Sequence, residues 1–184
     1  MHYSFASNYW IRLINMYTKQ LFKGIRKILA TACLVSLTST YAMAQSNDIW
    51  DKYWSTANQI KKELNDSDFN RLAVLSSQLT HISTQILPDF IEKQPVCKEY
   101  ITAAIKAAIP MQTMSLEDIE QDYHADGKLP PMKDASCYHA KDLLVHPATI
   151  SVIVKTLPDT SKNREMVAHE LEEVLEHFSQ VKAA

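Results

Sequence analysis

The residue types best suited to chemistry gather in the segment 137–147, which reads CYHAKDLLVHP. On a helix, residues three and seven apart lie on the same face, so His139, Asp142 and His146 are expected to share one face. Two imidazoles and a carboxylate are a suitable donor set for zinc, copper or non-haem iron. The alternative is that these polar residues form a solvated or hydrogen-bonded edge beside a Leu-Leu-Val core. Pro147 is expected to interrupt the helix at this point.

A second row of histidines lies near the end of the chain, where His169, Glu173 and His177 are four residues apart. The metalloprotease motif H-E-x-x-H fails here because Glu173 stands where the second histidine is needed. Glu172 and Glu176 are close neighbours, opposite an apolar stripe. The pattern therefore favours an exposed acidic face that carries histidines incidentally.

Other cofactors leave weaker patterns. Met111, Met114 and Met132 lie near His124 in a proline-rich stretch, and soft thioethers together with imidazole suit Cu(I). Methionine also fills irregular gaps in a core, which is the competing explanation. Haem b can bind through Met and His without any linear motif, whereas the absence of C-x-x-C-H excludes covalent haem c.

Common catalytic motifs are missing from the sequence. It contains no G-x-S-x-G, no S-x-x-K, no glycine-rich phosphate loop and no C-x-x-C pair. A metal-assisted hydrolase or oxygenase built on His139, Asp142 and His146 is the weakest of the functional hypotheses, because no base or oxyanion donor is evident. The sequence thus predicts a binding protein rather than an enzyme.

The first 44 residues have the layout of a secretory signal peptide. Basic residues at 23, 26 and 27 precede a ten-residue apolar run, 28–37, and Ala42 and Ala44 are the small residues before the expected cut. That run is about half as long as a membrane span of roughly 20 residues. We therefore expect cleavage after Ala44 and a periplasmic or secreted protein; Met16 is an alternative start that gives a leader of ordinary length.

Residues 45–184 are expected to form a single domain with an acidic surface. Removing the five basic residues of the leader from the 19 in the chain leaves 14, against 21 acidic residues, a net charge of about −7. This balance argues against nucleic acid as a partner, and no membrane-spanning segment is expected after cleavage. In an oxidising compartment Cys97 and Cys137 are predicted to form a disulfide; two thiolate metal ligands are the alternative.

The periodicity of the apolar residues predicts an all-α fold. Apolar residues recur at spacings of three and four, and Gly127 is the only glycine after the leader, expected in a left-handed turn that ends a short polar helix. We expect a four- to five-helix bundle with one disulfide and a long connection that carries that short helix. The predicted helices are approximately 48–65, a second that begins at 66 or 67 and that Pro88 kinks or ends, 95–109, 115–126, 135–157 and a last one that Thr160 or Ser161 caps.

Two functional hypotheses of different classes follow. The first is a protein-interaction or accessory module that presents the 110–133 connection and an acidic surface to another periplasmic protein. The second is a carrier of copper, zinc or haem b centred on His139, Asp142 and His146. Trp50, in an aromatic cluster close to the expected mature N-terminus, is interpreted as part of a bundle anchor rather than as a platform for sugar.

Overall fold

The computed structural model describes residues 49–183, and these residues are helical with no β-strand among them. The expected leader 1–44, its cut after Ala44 and the alternative start at Met16 lie outside the described residues. The α-helices are α1 (49–63), α2 (Phe69–Lys93), α3 (Lys98–Met111), α4 (Leu116–Ile119), α5 (Ala135–Thr156) and α6 (Ser161–Ala183). None of these helices is both long enough and apolar enough to cross a membrane.

Two shorter elements adjoin these helices. A 3-10 turn, Pro95–Cys97, leads into α3, and a π-helical turn, Glu120–His124, continues α4. The Asp68 side chain caps α2 by accepting from the Arg71 N–H, and the Ser115 side chain caps α4 by accepting from the Asp118 N–H.

Helix α5 is the central element of the fold. Every residue from Ala140 to Val154 is buried, including Lys141 and Asp142, because α5 packs against α2, α3 and α6. A helix that is enclosed on all sides needs no narrow apolar stripe. Its polar residues must therefore find partners inside the protein, and this requirement creates the site described below.

The predicted interruption at Pro147 was wrong, since α5 runs unbroken through this residue. Proline has no N–H to donate to the carbonyl four residues earlier, so the Leu143 carbonyl loses its helical partner. Two hydroxyls take its place: Tyr53 Oη donates to the Leu143 oxygen at 2.8 Å and Ser83 Oγ at 2.6 Å. The neighbouring helices α1 and α2 thus repair the hydrogen bond that the proline removes.

Because both hydroxyls donate to the same carbonyl, each can partly compensate for the loss of the other. Either Tyr53→Phe or Ser83→Ala should lower the free energy of unfolding modestly, because one donor to Leu143 remains. The double variant should lose about 1–3 kcal/mol more than the sum of the single losses, since the buried carbonyl then has no partner. Urea denaturation of the four proteins measures this coupling; strictly additive losses would contradict the repair.

A disulfide joins Cys97, in the 3-10 turn, to Cys137, in the first turn of α5, as predicted. Both cysteines are completely buried. The aromatic cluster is also an anchor: Trp50 and Tyr53 of α1 are buried and lie within 5.9 Å and 5.5 Å, centroid to centroid, of Phe178 on α6. These contacts fix α1 and α3 to the ends of α5 and α6.

Residues 112–134 lead from α3 to α5. The predicted left-handed turn is present in this connection, but a different residue occupies the left-handed position. The left-handed residue is Asp126, with φ of 61°, and not Gly127. Aspartate tolerates this conformation because its short polar side chain hydrogen-bonds locally. Gly127 is needed for another reason: a Cβ there would lie 2.4 Å from the Gln121 carbonyl oxygen. The glycine thus permits the close return of the chain onto the π-helical turn.

A candidate metal site between α5, α6 and the π-helical turn

Three separate elements bring metal-ligating side chains to one point. Helix α5 contributes Asp142 and His146, α6 contributes Glu173 and His177, and the π-helical turn contributes His124. Two overlapping sets have ligand atoms within 4.8 Å of one another: His124, Asp142 and His146 in one, His146, Glu173 and His177 in the other. A side-chain cluster of this composition, assembled from different elements around one point, is typical of transition-metal sites.

The distances within the cluster suit coordination better than hydrogen bonding. His177 Nε2 lies 3.7 Å from Asp142 Oδ2 and 3.6 Å from Glu173 Oε2. Both distances are longer than a hydrogen bond. Two ligand atoms that each lie about 2.0–2.1 Å from a tetrahedral zinc ion are about 3.3 Å apart. These two distances therefore need to shorten by only a few tenths of an ångström to match the spacing of ligands around zinc.

Partners on the outer side of two histidines determine which ring nitrogen carries the proton. His146 Nδ1 lies 2.7 Å from Glu170 Oε2, and an ionised carboxylate can only accept, so Nδ1 donates and Nε2 keeps its lone pair. Thr149 donates its own O–H to the Val145 carbonyl, so its oxygen accepts from His124 Nε2, at 3.2 Å. The free lone pair of His124 is then on Nδ1. Outer-shell contacts of this kind orient metal-ligating histidines in general.

His139 occupies the outer position for His177. The two Nδ1 atoms are 2.9 Å apart, and donation from His177 to His139 leaves the lone pair of His177 on Nε2, which faces the two carboxylates. His139 is only half-buried and is not among the converging donors. Of the three residues predicted from the spacing, the structure brings Asp142 and His146 together and places His139 beside their neighbour.

Burial keeps the imidazoles in the form that binds metal. It lowers the pKa of His124 and His146 to about 4 and that of His177 to about 3, with neighbouring histidines and Lys141 adding to the effect. All three rings are therefore neutral near pH 7, as metal coordination requires. Burial also raises the pKa of Asp142, to about 7, although the adjacent Lys141 opposes the shift.

The inward-facing atoms of the cluster lack hydrogen-bond partners. Among the described residues, Oδ2 of Asp142, Nε2 of His146 and Nε2 of His177 are buried without one, whereas Asp142 Oδ1 is paired with Lys141. Buried polar atoms are nearly always paired, so several orphans at one point call for an explanation. Lys141 Nζ lies 3.0 Å from Asp142 Oδ1, but its hydrogen bonds go to the carbonyls of Tyr123 and His124 and to Asp126. It compensates the charge of Asp142 through Oδ1, and Oδ2 lies 3.7 Å from His177 Nε2.

The interpretation of the second histidine row as an exposed face was wrong for His177 and for Glu173, which is partly buried and belongs to the cluster. His177 is 4% exposed and points into the cluster, whereas His169 and the flanking Glu172 and Glu176 are exposed. The sequence signal was available: His177 follows Val174 by three residues, and Val174 belongs to the apolar stripe. His124 carried no such signal, because its position depends on the turn that follows α4.

The methionines do not share one environment. Met111 is fully buried in the core, whereas Met132 is 44% exposed. Polar and charged side chains, including Lys141 and Asp142, surround the buried histidines, whereas a haem needs apolar walls for its macrocycle. The cluster therefore favours a small ion over haem b, and nitrogen and oxygen donors over thioethers.

Comparison of the chain with models of known protein families, with curated proteins and with solved structures finds no match.

Proposed function

We propose that this protein binds one divalent transition-metal ion, of the zinc class, at the cluster in which two overlapping donor sets share His146: His124 and Asp142 on one side, Glu173 and His177 on the other. The observation that carries the proposal is the set of buried, unpartnered donor atoms that face one another on α5 and α6. A metal ion beside His146 would give several of them a partner at once. Imidazole and carboxylate ligands in this ratio suit zinc and its neighbours in the first transition row.

Lys141 is expected to lower the affinity of the site for a metal ion. Its ammonium already compensates Asp142 at 3.0 Å, so the cluster keeps a balanced charge before an ion arrives. A dication must then bind beside a fixed positive charge, and this lowers its affinity. The proposal is therefore a site for reversible binding, as in a carrier or sensor, rather than a permanent structural metal.

The proposal places this site in an exported helical bundle of five longer helices, with the 112–134 connection supplying His124. The Cys97–Cys137 disulfide supports export, because such bonds persist in oxidising compartments. The protein-interaction module stays a prediction. We favour metal binding because it accounts for the buried polar atoms that lack partners. An exposed surface that binds another protein would not account for them.

Equilibrium dialysis against zinc, followed by elemental analysis, tests this function. The wild-type protein should retain about one equivalent, and His146→Ala or His177→Ala should abolish retention at micromolar zinc. His139→Ala should weaken binding about 10- to 100-fold, as outer-shell changes do. His169→Ala, on the exposed side of α6, is the matched control and should bind as the wild type does. Equal retention by the His146, His177 and His169 variants would refute the site.

A further inference from the structure

The π-helical turn that carries His124 belongs to a small unit that is hydrogen-bonded mainly within itself. Backbone N–H groups of Ala125, Gly127 and Lys128 donate to the carbonyls of Glu120, Gln121 and Asp122, at 2.8, 3.0 and 2.9 Å. Lys128 also pairs with the Asp122 carboxylate. Residues 115–129, from the cap of α4 to Leu129, thus form a compact body, which we name the latch.

The segments on either side of the latch are less well packed. Residues 131–134 are exposed and follow Pro130, and Thr113 is exposed on the other side. Loosely packed segments with few buried contacts open at low cost in free energy. A rigid body between two such segments can move as a unit.

Polar contacts hold the latch against the rest of the protein at the metal cluster. Lys141 Nζ donates to the carbonyls of Tyr123 and His124, at 2.8 and 3.2 Å, and Tyr100 Oη donates to Asp126 Oδ1, at 2.6 Å. The same ammonium lies against Asp142. One buried cation therefore joins the backbone of the latch to a candidate metal ligand.

Apolar contacts add to this attachment. Ile119 is fully buried and Tyr123 is 7% exposed. The latch delivers one donor, His124, whereas Asp142, His146 and His177 lie on the long helices. The site can therefore exist in two forms that differ only in the position of the latch. In one form His124 lies beside the other donors, and in the other form it does not.

We propose that the latch opens to admit the metal ion and closes over it, with His124 completing the site and Lys141 holding the closed position. This inference rests on the proposed metal-binding function and adds to it a route for the ion. An alternative route passes Tyr138, which is 38% exposed and whose ring lies 5.3 Å from that of His177.

The variant that tests the latch is Tyr100→Phe, because it removes a latch contact without changing any metal donor. Its matched control is Tyr53→Phe. This variant removes the buried hydrogen bond from the Tyr53 hydroxyl to the Leu143 carbonyl, which does not involve the latch. Cobalt(II) is the probe, since its visible absorption reports coordination. Stopped-flow mixing gives its association rate, and a chelator chase gives its dissociation rate.

Loss of a hydrogen bond to a carboxylate should make latch opening on the order of tenfold more frequent. Cobalt should therefore both enter and leave Tyr100→Phe about tenfold faster than the wild type, with a Kd that changes much less. Amide hydrogen exchange of the metal-free protein should accelerate by a similar factor across 120–129. Tyr53→Phe should show neither effect.

The possible failures are distinct. Cobalt rates in Tyr100→Phe equal to those of the wild type and of Tyr53→Phe would overturn the latch and indicate another route for the ion, while normal equilibrium binding would leave the proposed function intact. A wild-type protein that binds no cobalt and no zinc would overturn the proposed function, and the latch with it.

Discussion

Replacement of Lys141 by methionine is expected to destabilise the metal-free protein by about 3–5 kcal/mol, the cost of leaving one member of a buried ion pair unpaired. Methionine keeps the unbranched stem but removes the charge that compensates Asp142 and the donor to two carbonyls of the latch. The side chains of Lys141 and Asp142 are both fully buried, so water cannot replace the lost partner. Urea denaturation monitored by circular dichroism measures the change.

Two comparisons make this prediction specific. The double variant Lys141→Met with Asp142→Leu should recover much of the loss, because it removes the orphaned carboxylate as well. Lys128→Met, at a salt bridge whose lysine is 60% exposed, should change stability by less than about 1 kcal/mol. A Lys141→Met protein as stable as Lys128→Met would show that the buried pair is not formed as described.

Zinc should also stabilise Lys141→Met more than it stabilises the wild type. In the variant the ion supplies the only positive charge beside Asp142, whereas in the wild type it has to bind next to an ammonium. The shift in the midpoint of urea denaturation between zinc-free and zinc-loaded samples compares the two proteins. An equal shift in both would contradict the proposed role of Lys141 in limiting affinity.

The second large effect is expected from the disulfide. Replacing both Cys97 and Cys137 by serine opens a loop of about 40 residues, and the chain-entropy account of cross-links assigns such a loop about 4 kcal/mol of stability. Both cysteines are fully buried, so the two new hydroxyls add a further cost. The free energy of unfolding of the double variant measures the loss.

The same loop contains the latch, and this gives the variant a second readout. Without the cross-link, α3, which leads into the segment that positions His124, is held to α5 by non-covalent packing alone. Zinc should therefore dissociate faster from the double-serine variant, even under conditions in which the protein remains folded. A stability loss below about 1 kcal/mol, or zinc dissociation unchanged from the wild type, would contradict the role assigned to the disulfide.

The sequence predicted the helical class because its apolar spacing is regular, and it predicted the disulfide because two cysteines remain after the leader. It did not predict the continuity of α5 through Pro147. The orphaned Leu143 carbonyl is satisfied by Tyr53 and Ser83, which lie 90 and 60 residues away in the chain. Local propensity cannot include donors that arrive only when the bundle folds.

The candidate site was predicted in part for the same reason. Asp142 and His146 lie on one helix, so their common face can be derived from spacing alone. His177 and Glu173 join them only because α6 packs against α5, and His124 because the π-helical turn closes onto Lys141. His139 shares the predicted face, but its ring hydrogen-bonds to His177 of α6 and is not among the converging donors.

The central claim is that the unpartnered atoms of α5 and α6 coordinate a single metal ion. Anomalous diffraction at the zinc edge, from crystals of protein loaded with one equivalent of zinc, tests it most directly. The account predicts one strong peak about 2.0–2.2 Å from Nε2 of His146 and from the donors of at least one of its two sets, Asp142 with His124 or His177 with Glu173. Zinc found only at surface residues, with these atoms uncoordinated, would contradict it.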